Sequence, residues 1–313
     1  MQVSENTFEM ENSAEVWVVP EPISIHEAVM EDGSRIILRR HGNPNGQRLV
    51  LCHGNGLAID FYYPFWSLLT NDFDLIVYDL RNHGWNSVTA QINHNLPTFV
   101  SDHNKILEEI DKHFGNKPKI GVYHSVSALV ALLSPTNGRE YEARILFDPP
   151  VCKSEDYPIE YDIVTRRVSR LARCRVEWIR SMEEYVEVLE FLPAFKLMVP
   201  GTLDLFPRTT FRKCPGDEGY QLCCPRDYEA QIIYHARSFS VIVDFDNFQC
   251  PTKAIGADPL LPFSYLPSFD LNNILNVDYD FIPETTHFLQ LEQPEKCVRT
   301  MLNFLKINNL LKA

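Results

Sequence analysis

Through the first half of the chain, short β-rich apolar runs alternate with stretches whose apolar residues recur every three or four positions. That rhythm argues for an α/β fold, with a mostly parallel sheet and crossover helices. The runs are Ser24–Val29, Arg35–Arg40, Arg48–Cys52, Leu75–Asp79, Ile120–Tyr123 and Ile145–Asp148. Glu31-Asp32-Gly33-Ser34 separates the first two and reads as a hairpin turn. Between the later runs, Phe99, His103, Ile106, Leu107, Ile110 and Phe114 share one helical face, as do Leu129, Leu132 and Leu133.

The alternation stops after Asp148-Pro149-Pro150, and strand-like runs return only at Thr252–Ala257 and Val277–Ile282. A last helix carries Val298, Met301, Leu302 and Leu305 on one face, with Pro294 near its first position. The expected organisation is therefore a core of residues 1–150 and 238–313, interrupted by a mostly helical insertion of 151–237. That insertion bears a comb of arginines: Arg166, Arg167, Arg170, Arg173, Arg175 and Arg180. A solvated helix face explains the comb, with acids such as Glu183 and Glu184 beside it. An anion-binding lid is the sharper alternative.

Charge narrows the partners. The chain has 42 acidic and 29 basic residues, a formal net charge of −13. Such a surface repels phosphate backbones and anionic lipid, so neither nucleic acid nor a membrane is expected as partner. The chain opens acidic and polar, so no secretory signal is expected, and no apolar run nears the ~18 residues of a spanning helix. The eight cysteines match neither a CxxC pair nor a zinc ribbon and read as reduced thiols. A cytoplasmic protein without a metal site is the expectation. Gly54-Asn55-Gly56 imitates half of a dinucleotide fingerprint, but Ile59 stands at the third glycine position and argues against it.

Three residues sit just past strand ends, where an open parallel sheet places its ligand crevice. Ser125 lies where the run Ile120–Tyr123 passes through His124 into an apolar helix. A serine at so sharp a turn stands proud of the sheet, with the next backbone N–H aimed at an oxyanion formed on it. It can equally be a helix cap. His287, in Thr285-Thr286-His287-Phe288, can take a proton from Ser125 and return it to a leaving group. Asp258, in Ile255-Gly256-Ala257-Asp258-Pro259, can hold the imidazole in the right tautomer, or simply form an Asx turn before proline. Asp148 is the other acid in reach if Asp258 points away.

Serine, aspartate and histidine in this order, each after a strand, follow the chain order of an α/β-hydrolase. The sequence resembles that superfamily over nearly its whole length. Leu51-Cys52-His53-Gly54-Asn55-Gly56 resembles its HGxG segment, and Asp79-Leu80-Arg81-Asn82-His83-Gly84-Trp85-Asn86 its D-x-R-G-H-G-x-S turn. His287-Phe288-Leu289-Gln290-Leu291-Glu292-Gln293-Pro294-Glu295 is similar to its histidine loop and final helix start. The resemblance implies an α/β-hydrolase fold with a helical cap inserted after the sixth strand. By the same resemblance Ser125 is nucleophile, His287 base and Asp258 its orienting acid, with the N–H groups of Asn55 and Val126 as oxyanion hole. A serine at the elbow disfavours the dehalogenase and epoxide hydrolase branches, which use aspartate there.

One departure stands out. The G-x-S-x-G elbow reads Tyr123-His124-Ser125-Val126-Ser127, with neither glycine. Either the Tyr123 phenol points out of the crowded side or the turn is wider than usual. His53 and His83 are expected to brace loops behind the site. Phe61, Tyr62, Tyr63, Trp66 and Trp85 are candidates for an apolar wall or for ordinary core. The resulting expectation is a cofactor-independent serine esterase acting on a small-molecule carboxylic ester of small to medium acyl size. A lactonase, a C–C bond hydrolase, an acyltransferase and a non-catalytic binding member of the fold stay open, as does a homo-oligomer.

Overall fold

A computed structural model describes residues 16–151, 158–216, 218–261 and 277–311. Its strands are β1 (Ser24–Val29), β2 (Arg35–Gly42), β3 (Gln47–Cys52), β4 (Phe73–Tyr78), β5 (Lys119–His124), β6 (Ala143–Phe147), β7 (Trp178–Ile179), β8 (Phe211–Lys213), β9 (Tyr220–Leu222), β10 (Thr252–Gly256) and β11 (Asp278–Phe281). Its α-helices are α1 (Tyr63–Trp66), α2 (Leu96–Phe114), α3 (Val126–Leu133), α4 (Pro158–Arg173), α5 (Met182–Glu190), α6 (Thr202–Thr210), α7 (Arg226–Ser240), α8 (Leu289–Glu292) and α9 (Pro294–Ile307).

Eight strands form one sheet in the order β1-β2-β4-β3-β5-β6-β10-β11. β2 runs antiparallel to β1 and β4, and every pairing from β4 to β11 is parallel. The alternation of side chains along each strand splits the apolar residues between two cores. Val50, Cys52, Ile76, Tyr78 and Tyr123 meet Phe99, Ile106, Ile110 and Leu129 from α2 and α3 on one face. Leu49, Leu51, Leu75, Val77, Val122 and Phe147 meet Trp66, Leu291, Met301 and Leu305 on the other. Strands covered on both faces read as near-continuous apolar runs, which is why the central ones stood out in sequence.

Neighbouring strand order opens a crevice at one end of the sheet. β3 lies between β4 and β5, so the chain leaves β3 toward one side and β5 toward the other. The loops after these two strands part at their carboxyl ends and leave a crevice. The strands β6 and β10 are neighbours in the sheet, so everything between them is an insertion. It contains the expected helices, and also a small antiparallel sheet of order β7-β9-β8. Strands of two and three residues are too short to show a period-two pattern, and the sequence reading did not find them. The last inserted helix, α7, runs to Ser240, past the expected boundary at 237. Arg166, Arg167, Arg170, Arg173 and Arg180 are exposed, as on a solvated face, whereas Arg175 turns inward.

Candidate active site

Ser125 is the residue between β5 and α3. Its φ of 53° and ψ of −119° lie in a region that L-residues avoid, at a cost of roughly 1–3 kcal/mol. The turn is held from both sides, because Ser125 N–H donates to Phe147 O (2.9 Å) at the end of β6 and Leu129 N–H donates to Ser125 O (3.1 Å). The elbow closes without its usual glycines. The Tyr123 ring turns away from the crevice into the α2 core, where its hydroxyl pairs with Tyr141 Oη at 2.8 Å. Ser127, at the second glycine position, is buried; its hydroxyl accepts from His124 N–H (3.0 Å) and shares its one proton between Cys52 O (3.1 Å) and His124 O (2.9 Å). Its small hydroxyl thus fills space between strand and helix with satisfied polar contacts.

His287 comes from the loop between β11 and α8. Ser125 Oγ donates to its Nε2 at 2.9 Å, and its Nδ1 donates to Asp148 Oδ2 at 2.6 Å. These pairings assign one tautomer, with the proton on Nδ1 and a lone pair facing the hydroxyl. Asp148 follows β6 directly. Its φ of 39° turns the carboxylate toward the histidine, while Asp148 N–H donates to Ile255 O (2.8 Å) and Oδ1 accepts from Ala257 N–H (3.3 Å).

The carboxylate that meets His287 is Asp148, where Asp258 was expected. Asp258 accepts from the N–H of Leu260 (2.9 Å) and of Glu284 (2.8 Å). The first of these is an Asx turn across Pro259, and both bonds hold the carboxyl below its ordinary range. Asp258 thus braces its own turn and the backbone at Glu284, while Asp148 Oδ2 lies against the imidazole.

A second set of buried groups fixes these loops. Gly54 N–H donates to Tyr62 Oη (3.2 Å), Tyr62 Oη donates to His124 Nδ1 (2.7 Å), and His124 Nε2 donates to the carbonyl of His287 (2.8 Å). This chain ties the Gly54 loop to the histidine loop through the residue before Ser125. The Gly54 loop comes close: a Cβ at Gly54 would stand 2.7 Å from His124 Nδ1 and 3.1 Å from Ser125 Cβ. Burial drives His124 far below its ordinary range, so it stays a neutral hydrogen-bond relay. Sequence reasoning did not see Tyr62 in this part, because it depends on contacts between distant segments.

His53 and His83 act as clamps. His53 Nδ1 donates to Gly54 O (2.6 Å) and Nε2 accepts from Leu80 N–H (3.0 Å). His83 Nδ1 donates to Arg81 O (2.8 Å) and Nε2 accepts from Gly56 N–H (3.0 Å). Each needs one lone pair, and burial holds both neutral, with His53 pushed down to about 3. The turn that presents His83 has Asn82 at φ 67°, a left-handed position that asparagine tolerates. At Gly84 a Cβ would stand 2.3 Å from the Asp79 carboxyl carbon, so that glycine is required. Thr286 N–H donates to Glu292 Oε2 (2.6 Å), which steadies the residue before His287, and burial raises the Glu292 carboxyl.

The inserted segment reaches the same loop. Arg175 Nη1 donates to Gly56 O at 2.8 Å and pairs with Glu229 of α7, while Asn55 Nδ2 donates to Glu229 O at 2.9 Å. A run of rings adjoins the histidine loop: Phe195 stacks on Phe288 with centroids 5.8 Å apart, and Phe206 lies 5.5 Å from Phe195 and 5.2 Å from Phe61. Trp66 and Tyr62 are core residues, Tyr63 is half-buried, and Trp85 is half exposed with Arg39 over its ring. The described cysteines, Cys52, Cys174, Cys214, Cys223, Cys224, Cys250 and Cys297, are free thiols. No described helix is long and apolar enough to cross a membrane.

A hydroxyl, an imidazole and a carboxylate aligned in this way can generate an alkoxide-like nucleophile and return its proton to a leaving group. Comparison with solved structures places the fold among hydrolases. The E-2-(acetamidomethylene)succinate hydrolase matches with a TM-score of 0.71 and 13% identity, over 90% of this chain and 99% of that one. The thioesterase domain of the curacin biosynthetic pathway matches with a TM-score of 0.66 and 17% identity, over 89% and 99%. A thermophilic esterase from Thermogutta terrifontis matches with a TM-score of 0.59 and 18% identity, over 90% and 98%. None of the curated proteins matches the chain. The strand order and the strand-end placement of Ser125 and His287 agree with a family-model match over residues 49–300, and the chain belongs to the alpha/beta hydrolase family.

Proposed function

We propose that the protein is a serine hydrolase of carboxylic esters. The observation that carries this reading is the continuous pair of hydrogen bonds from Ser125 Oγ to His287 Nε2 and from His287 Nδ1 to Asp148. In the reaction, Ser125 Oγ attacks the ester carbonyl carbon as His287 Nε2 takes its proton. The carbonyl oxygen becomes an oxyanion, received by the N–H groups of Asn55 and Val126. His287 then gives the proton to the departing alkoxide, which leaves as the alcohol. Water attacks the acyl-enzyme with His287 as base, Ser125 regains its proton, and the acid is released. Asp148 keeps the imidazole oriented and stabilises its charged form. No metal or organic cofactor enters any of these steps.

The inserted segment, residues 151–237 as first delimited, serves as the cap over the site. Its contact through Arg175 and Glu229 with the Gly56 loop supports this role. Phe195, Phe206 and Phe288 suit a small to medium apolar acyl group. A fluorophosphonate probe tests the nucleophile: the wild-type protein is expected to label once, on Ser125, and Ser125→Ala not at all. Labelling at another residue, or none, removes the assignment. A p-nitrophenyl ester series of increasing chain length, run beside lactones, then reads the depth of the acyl site.

A further inference from the structure

A second cluster of ligating side chains lies at the outer edge of the sheet. His26 stands on β1, the edge strand, and Glu109 and His113 stand one helical turn apart on α2. His26 Nε2 is 3.1 Å and His113 Nε2 3.0 Å from the same carboxylate oxygen, Glu109 Oε2. The two imidazole rings lie nearly parallel, with centroids 3.4 Å apart, and the three ligating atoms all fall within 4.8 Å of one another. We propose that His26, Glu109 and His113 form a binding site for a divalent transition-metal ion of the zinc type.

The distances suit that ion. Metal–nitrogen and metal–oxygen bonds of about 2.0–2.2 Å in a tetrahedron set ligand atoms roughly 3.3 Å apart. Two edges of the His26–Glu109–His113 triangle are already near that length, and small side-chain rotations complete the third. Two imidazoles and one carboxylate favour zinc, nickel or copper over calcium and magnesium, which take oxygen donors. The other Glu109 oxygen, Oε1, faces Lys105 at 3.5 Å and Lys112 at 3.6 Å. The lysines thus hold one oxygen and leave the second to the imidazoles. The side chains are 21% (His26), 11% (Glu109) and 34% (His113) exposed, so an ion can enter and the fourth position is left to water. Bound metal would pin the edge strand to α2, a contact otherwise made by ring packing and the His26–Glu109 hydrogen bond.

The test titrates ZnCl2 into the full-length protein by calorimetry and follows CoCl2 by visible absorption. One equivalent of zinc is expected to bind and to raise the melting temperature by roughly 5 °C at a hundredfold excess over Kd. Cobalt is expected to give only the weak visible bands of nitrogen and oxygen ligation. His26→Ala and His113→Ala, both at partly exposed positions, are each expected to abolish the heat and the shift. Absence of stoichiometric binding, binding unchanged in both variants, or a thiolate-to-cobalt charge-transfer band from cysteine ligation would overturn the proposal.

Discussion

Tyr123 lies over Gly121 on one face of β5: a Cβ built at 121 would stand 2.5 Å from Tyr123 Cε2. The elbow has therefore moved its glycine two residues upstream. A bulky residue at 123 fits because its ring folds back over the position that lacks a side chain and enters the α2 core. Gly121→Ala is expected to lower stability by roughly 1–3 kcal/mol through overpacking, read from urea midpoints. Tyr123→Phe should cost only about 0.5–1.5 kcal/mol for its hydrogen bond. Equal costs for the two variants would contradict the account.

Asp148 and Asp258 separate cleanly by mutation. Asp148→Asn is expected to reduce kcat for ester hydrolysis by about 10⁴-fold, since the amide no longer stabilises the required tautomer and the imidazolium. Asp258→Asn should change kcat less than tenfold, with a small loss of stability from its turn. The reverse order would return the acid to 258.

Tyr62→Phe removes the hydroxyl that joins Gly54 N–H to His124 Nδ1. It is expected to lower kcat roughly tenfold, the equivalent of one hydrogen bond of about 1.4 kcal/mol. KM should stay nearly constant, because the chain positions the reacting groups and does not touch the acyl moiety. A rise in KM at constant kcat would assign Tyr62 to substrate binding instead.

Arg175 and Glu229 form a largely buried ion pair against Gly56. Glu229→Gln leaves the guanidinium inside without its counter-charge and is expected to cost roughly 3–5 kcal/mol. Arg175→Met combined with Glu229→Leu should recover much of that loss, as volume is kept and no charge is stranded. Denaturation of the single and double variants measures the coupling. Strictly additive losses would mean that the pair does not act as a unit.

Acid should unfold the protein early. Burial lowers His53 and His103 to about 3 and drives His83 and His124 well below the ordinary value of 6.5. The unfolded chain protonates these residues below pH 6.5 and the folded protein does not. Their effect on stability is nil above that pH and becomes a loss as pH falls toward about 3, at about 1.4 kcal/mol per pH unit for each histidine. Urea midpoints should therefore drop steeply from pH 6.5 to 5. A constant midpoint over that interval would mean that these histidines are solvated.

The amino-acid sequence by itself determined the class of fold, because strands buried on both faces must be continuously apolar and the helices between them must be amphipathic. It also placed Ser125 and His287 at strand ends, since local turn chemistry and chain order mark those positions. It did not decide between two aspartates that follow neighbouring strands. That choice rests on which carboxylate reaches the imidazole: the N–H groups of Leu260 and Glu284 engage Asp258, whereas the left-handed backbone at Asp148 points its carboxylate at the ring. The Gly121–Tyr123 exchange, the Tyr62–His124 relay and the Arg175–Glu229 contact were likewise settled only in the tertiary structure. Each depends on distances between side chains brought together by strand order and packing, and a linear pattern carries no record of those distances.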